Sequence, residues 1–194
     1  FFVSKTMIRT VETDSIYAGL LFVTLLLILN LRASRIFSSE SKNGILEQLI
    51  LHNYTPCQIV SARFLSFYIS EIIPLLILIP LTSLFFNFSS ENIIFLSVIL
   101  ALSLPLLLSI FLLNASLLLL VNNKTILLTL ISFPLIIGPT TLIALTILHY
   151  FLPQPNNFTF YLETTIYLTC IITPLALFLT SKSLAALYKN KFKE

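Results

Sequence analysis

Tryptophan is absent from the 194 residues, glycine occurs three times, cysteine twice and methionine once. No GxxxxGK[ST] loop is present, so the chain has no ordinary cradle for nucleotide phosphates. Cys57 and Cys170 lie far apart without a CxxC, CxxCH or Cys/His cluster, which excludes an encoded redox pair or metal site and predicts two small apolar fillers. No short apolar stretch followed by a small-residue cleavage site opens the chain, so no cleavable leader is expected. Charge is scarce as well: 10% of residues are charged against 57% hydrophobic, and the mean hydropathy is +1.01. Soluble domains do not have that balance, and the chain reads as an all-α, polytopic integral membrane protein.

What is abundant is long apolar runs. A bilayer core of about 30 Å takes roughly 20 apolar residues per helix, and five runs qualify: 16–36, 64–86, 93–121, 125–151 and 158–180. Pro74, Pro80, Pro105, Pro134, Pro139 and Pro174 fall inside them, where a membrane helix tolerates proline as a kink. Basic residues are distributed unevenly between the connections. Arg32, Arg35, Lys42, Arg63, Lys124, Lys182, Lys189, Lys191 and Lys193 fall on one side, with only Lys5 and Arg9 on the other. Cytoplasmic loops retain lysine and arginine, so the first loop and the C-terminal tail are expected inside. With five spans that leaves the N-terminal residues outside, as a short apolar piece and a polar loop, and a sixth, preceding span is expected to be missing from the sequence.

The first loop, residues 38–56, is the one sizeable polar island. Gly44 separates a charged segment from ILEQLIL, in which Ile45, Leu46, Leu49 and Ile50 share one helical face while Glu47, Gln48 and His52 take others. A short amphipathic helix is predicted. Thr55-Pro56 then supplies an N-cap and a proline at the first helical position, so a new helix starts there and runs through Arg63 into the second span. The bend falls between Asn53 and Pro56. The residues alone leave two readings open: an interfacial helix that anchors the loop to lipid, or a docking surface for a cytoplasmic partner.

The run Asn43-Gly44-Ile45-Leu46-Glu47-Gln48-Leu49, placed after a span ending Arg32-Ala33-Ser34-Arg35-Ile36-Phe37, resembles the DGTLEQL element of the CcmB family, the membrane subunit of the haem exporter of cytochrome c maturation. Val60-Ser61-Ala62-Arg63 with Ile73-Pro74-Leu75-Leu76-Ile77-Leu78-Ile79-Pro80-Leu81, and Phe133-Pro134-Leu135 with Gly138-Pro139, resemble that family's later proline patterns. The likeness runs from about Tyr17 to the C terminus and lacks the family's first membrane helix. Ile45 and Asn43 depart from the pattern, as does the turn Asn122-Asn123-Lys124, but a helix preceded by glycine is kept. The resemblance implies a single permease domain, 1–194, of a type-2 ABC exporter, with no catalysis of its own. It implies docking of an ATPase subunit, CcmA, on Gly44, Ile45, Leu46, Glu47, Gln48 and Leu49, and CcmC, CcmD and the haem chaperone CcmE as further partners. Two copies per complex, no intrinsic cofactor and a bacterial or mitochondrial inner membrane follow from the same likeness, with haem as a possible substrate.

Within the spans, Glu71 is the one deep carboxylate, and its ionised form is expensive there. It is therefore expected to be protonated or to face a partner inside the protein, in a structural or a substrate-path role. Asn114 is expected to hydrogen-bond across helices, and Ser103, Ser109 and Ser116 to satisfy backbone. His149, beside Tyr150 at the outer end of the fourth span, is a weak candidate haem ligand against the plainer reading of an aromatic belt. Two rivals stay open: a permease for lipid, polysaccharide or drug in the same exporter class, and a proton-translocating respiratory subunit, which would need more intramembrane ionisable groups than Glu71 alone.

Overall fold

The computed structural model describes residues 2–86, 90–120, 125–151 and 158–191, all of it helix apart from the short connections around α2. Six helices follow one another: α1 (Phe2–Lys42), α2 (Ile45–Leu51), α3 (Pro56–Phe86), α4 (Ser90–Leu120), α5 (Thr125–Phe151) and α6 (Phe158–Lys191). Three segments among the described residues are long and apolar enough to cross a membrane: Asp14–Arg32, Glu91–Leu119 and Phe158–Lys189. Leu135–Phe151 is a shorter apolar helix.

The centre is α4, which packs against α1, α3, α5 and α6. Its sequence is apolar all round, the pattern of a helix enclosed on every side. From Leu104 to Leu113 nearly every residue is buried, with Leu104, Leu108 and Leu112 at 0% exposure. Ser103, Ser109 and Ser116 are buried at 0% too, and each donates its hydroxyl to the carbonyl three residues earlier: Leu100, Leu106 and Leu113. Polar atoms therefore enter the core already paired, as an apolar interior requires.

Proline poses a second backbone problem. Pro105 has no N–H for the carbonyl of Ala101, four residues earlier. The α3 residue Tyr68 supplies a replacement, its hydroxyl donating to the Ala101 carbonyl across 3.5 Å, a long hydrogen bond. Helices α3 and α6 continue through Pro74, Pro80 and Pro174.

Hydroxyls also join helices directly. Ser183 on α6 donates to Ser116 on α4 at 2.6 Å. Thr146 on α5 and Thr165 on α6 share a hydrogen bond at 3.1 Å. Asn114 is half-buried, and among the described residues no hydrogen bond ties its side chain to another helix. The polar contacts between α4, α5 and α6 run instead through serine and threonine.

Two expectations are corrected. The outer piece and polar loop expected before residue 16 form one helix with the first span, which continues at its other end to Lys42; residues 38–42 are therefore helix rather than loop. Neither proline nor glycine occurs in Phe2–Ser15 or Leu31–Lys42, so nothing in the backbone stops the helix from extending out of its apolar centre. At 41 residues α1 measures about 60 Å, twice a bilayer core of roughly 30 Å. The two cysteines are free and exposed rather than buried fillers. The turns at 122–124 and 152–157 lie outside the described residues.

Candidate functional site

The chain between α1 and α3 is built from two left-handed residues and one short helix. Gly44 has φ 70° and ψ 7°, and its N–H bonds the Ser41 carbonyl at 3.3 Å, so α1 ends on a residue that needs no Cβ. After seven helical residues the helix closes at His52, whose N–H bonds the Gln48 carbonyl and whose Nδ1 lies 2.8 Å from that same oxygen. Asn53 follows at φ 63°, the only non-glycine residue with positive φ among the described residues. Asparagine is one of the few side chains that enters this region readily.

A reciprocal cap then opens α3. The Gln58 N–H points to Thr55 Oγ1 at 3.4 Å, and the Thr55 N–H donates to Gln58 Oε1 at 3.0 Å. This is a capping box, with glutamine at the third helical position. Thr55-Pro56 was legible as a helix start; Gln58 as the returning partner was not singled out, although its spacing from Thr55 carries that signal.

Between these two bends α2 turns its apolar side inward. Leu46 is buried at 1%, and Leu49 and Ile50 are half-buried against the core. Ile45, expected on that face, sits at its edge and is 38% exposed, while Gln48 and Leu51 face outward. The Glu47 side chain is outside the described set. Next to α2, a hollow of about 330 Å³ is lined by Leu49, Tyr54, Gln58, Ile59, Ala62 and Arg63. The six expected docking positions thus divide: Leu46 holds the helix to the bundle, and Ile45 and Gln48 remain presentable.

The carboxylate expected within the second span has a partner. Arg32 Nη1 donates to Glu71 Oε1, joining α1 to α3 across 39 positions of sequence. The pair is lopsided, with Glu71 7% exposed and Arg32 53%. A carboxylate this enclosed requires a compensating cation, and Arg32 provides it. Glu71 thereby faces a partner within the protein, and Arg32, a loop charge by sequence, belongs to the same site. The signal was available in the demand itself, because a lone intramembrane carboxylate calls for a cation at a neighbouring span end. The pair helps line a cavity of about 260 Å³, together with Leu21, Thr24, Leu25 and Ile28 of α1, Pro74, Leu78 and Ile79 of α3, and Leu100 of α4.

His149 is half-buried near the other end of the bundle. Its Nδ1 lies 2.9 Å from the Leu145 carbonyl, and its ring tilts against Tyr161 at 4.5 Å between centroids. Beside it Phe95 and Tyr150 stack at 3.5 Å, with Phe158 packed edge-on to Phe95. No group of three or more His, Cys, Asp or Glu that could hold a metal occurs among the described residues.

A helical bundle with a buried central helix and several apolar helices long enough to cross a bilayer is the architecture of a polytopic membrane protein. The model of the CcmB family, described as CcmB protein, matches residues 10–186, and the chain belongs to that family. It is a multi-pass inner-membrane component of the haem export system of cytochrome c maturation and a non-catalytic member of an ABC transporter. No curated protein and no solved structure matches it.

Proposed function

We propose that this permease converts ATP hydrolysis on a separate CcmA subunit into movement of α1 and α3, through α2. The single observation that supports this most is the construction of the α1–α2–α3 link. A seven-residue helix is held by buried Leu46 and half-buried Leu49 and Ile50 and bounded by residues at φ 70° and φ 63°. The helix beyond it is continuous from Pro56 into the apolar part of α3. Force applied to α2 therefore passes through only the short capped link 52–55 before it enters one continuous helix.

In this reading the chain spans the membrane five times, with α2 and the C-terminal tail on the cytoplasmic or matrix side, the side favoured by nine of its eleven Lys and Arg residues. Two copies form the transport unit, because two nucleotide-binding subunits require two docking surfaces. CcmC, CcmD and CcmE are its neighbours. The cycle serves haem delivery, either by moving haem or by releasing haem-loaded chaperone from CcmC.

The test is co-purification of the ATPase with the permease. Ile45→Asp combined with Glu47→Ala and Gln48→Ala is expected to lower ATPase retention while leaving Leu46 and the fold in place. Glu71→Gln is expected to retain the ATPase. Equal retention by the loop variant and the parent would overturn the docking role.

A further inference from the structure

The Arg32–Glu71 pair and the cavity it helps line have a shape that energy coupling does not require. Along α1 the cavity runs from Arg32 through Ile28, Leu25 and Thr24 to Leu21, one stripe of the helix whose single hydroxyl, on Thr24, is already spent on the Leu20 carbonyl. Eleven residues at 1.5 Å each make about 16 Å, roughly half the thickness of a bilayer core. Arg32 is the last residue of the apolar span Asp14–Arg32, so the polar end of this stripe lies at a membrane face and the apolar end near the midplane. The cavity opens sideways to the surface of the bundle, since its rim residues Ile28 and Leu78 are 45% and 47% exposed. Pro74 faces outward on α3 beside it.

At the polar end, the guanidinium uses Nη1 on Glu71 and is still half exposed. A guanidinium carries five N–H donors in a fixed fork, so a second oxyanion can be bound by its remaining edge. We propose that this groove holds one anionic phospholipid of the leaflet on the Arg32 side, with its phosphate on the free edge of Arg32 and one acyl chain lying along Ile28, Leu25 and Leu21 against Pro74 and Leu78. Charge, depth and length select this occupant together. A free phosphate would leave the apolar stripe uncovered, and a zwitterionic lipid would bring a second cation beside Arg32. Glu71 tunes the site by drawing on the same cation, so that removing its charge strengthens lipid binding. The inference rests on α1 crossing the membrane and is independent of ATPase docking.

The full chain, reconstituted in nanodiscs of equal parts phosphatidylglycerol and phosphatidylcholine and then released for native mass spectrometry, gives the lipid retained per chain. The parent is expected to keep one phosphatidylglycerol in preference to phosphatidylcholine, and millimolar inorganic phosphate is expected to leave it in place. The paired substitution Arg32→Gln with Glu71→Gln, which removes the cation without stranding a buried carboxylate, is expected to lower retention about fivefold, the weight of one basic residue at an anionic membrane surface. Leu25→Trp, which leaves the ion pair untouched and fills the groove, is expected to lower retention as well. Glu71→Gln alone is expected to raise it. Equal retention of the two lipids, displacement by phosphate, exclusion of lipid by a second copy of the chain, or a fall in retention with Glu71→Gln alone would each overturn the proposal. Co-purification of the ATPase is expected to be unchanged in Leu25→Trp, which separates failure of this site from failure of the docking reading.

Discussion

Glu71 and Arg32 make an asymmetric pair, because one is buried and the other half in the open. Removing the exposed cation leaves a carboxylate enclosed without compensation, whereas removing the buried charge leaves an arginine that lipid headgroups and water can solvate. Breaking a buried pair from the cation's side typically costs about 3–5 kcal/mol, and the half-exposed arginine places this pair at or below the low end. Arg32→Ala is therefore expected to lower the midpoint of thermal unfolding in detergent well below that of Glu71→Gln. The double substitution Arg32→Gln with Glu71→Gln should recover much of the loss. Matching midpoints for the two single variants would show that the pair does not hold α1 to α3. Nothing in the local sequence around either residue announces the other. Glu71 reads as a problem in isolation and Arg32 as one of several loop charges, and only the tertiary fold, with α1 and α3 both packed on α4, brings the solution to the problem. Asn114 shows the converse: an amide in an apolar run invites a cross-helix role, but the tertiary contacts between these helices fall to serine and threonine, whose spacing looks local.

The element most legible beforehand was the connection between α1 and α3, since its punctuation is chemical. Gly44 stops a helix by conformation, and Thr55-Pro56 starts one by capping. Both act within a few residues, so a one-dimensional reading captures them. Gly44→Ala places a Cβ at φ 70°, a strain of about 1–2 kcal/mol at a left-handed position. Asn53→Gly should be tolerated at φ 63°. Hydrogen exchange is expected to show faster opening of the α2 amides in Gly44→Ala than in Asn53→Gly, and similar rates would argue that the first bend is not conformationally constrained. Thr55→Ala removes half of the capping box, worth about 1 kcal/mol, and should loosen the first turn of α3 in the same measurement. The extent of α1 was less legible because its ends are polar. A helix built outward from an apolar centre needs only the absence of breakers to continue, and polar residues by themselves are not breakers.

At the scale of the whole molecule, one exposed thiol reports which side of the membrane α2 occupies and the other serves as its control. Cys57 lies in the first turn of α3, at the end of the bundle that carries α2; Cys170 lies in the apolar middle of α6. With α2 inside, a membrane-impermeant maleimide should modify Cys57 in inverted vesicles and spare it in right-side-out ones. Cys170 should resist the reagent in both. Labelling of Cys57 from the outer face would invert the topology and remove α2 from reach of an ATPase. The overall α-helical membrane class was evident from hydropathy alone, because apolar length is a property of composition. The central position of α4 was not, since all the long runs are apolar and only their packing distinguishes the helix that the others surround.

The hydrogen bond from Tyr68 to the Ala101 carbonyl ties a side chain on one helix to a proline on another, and so constrains how the chain can change by descent. A lineage that exchanges Tyr68 for Phe while keeping Pro105 carries a bare carbonyl in its central helix; one that first replaces Pro105 with alanine can lose the hydroxyl at no cost. The order of the two steps matters, and each position holds the other's history.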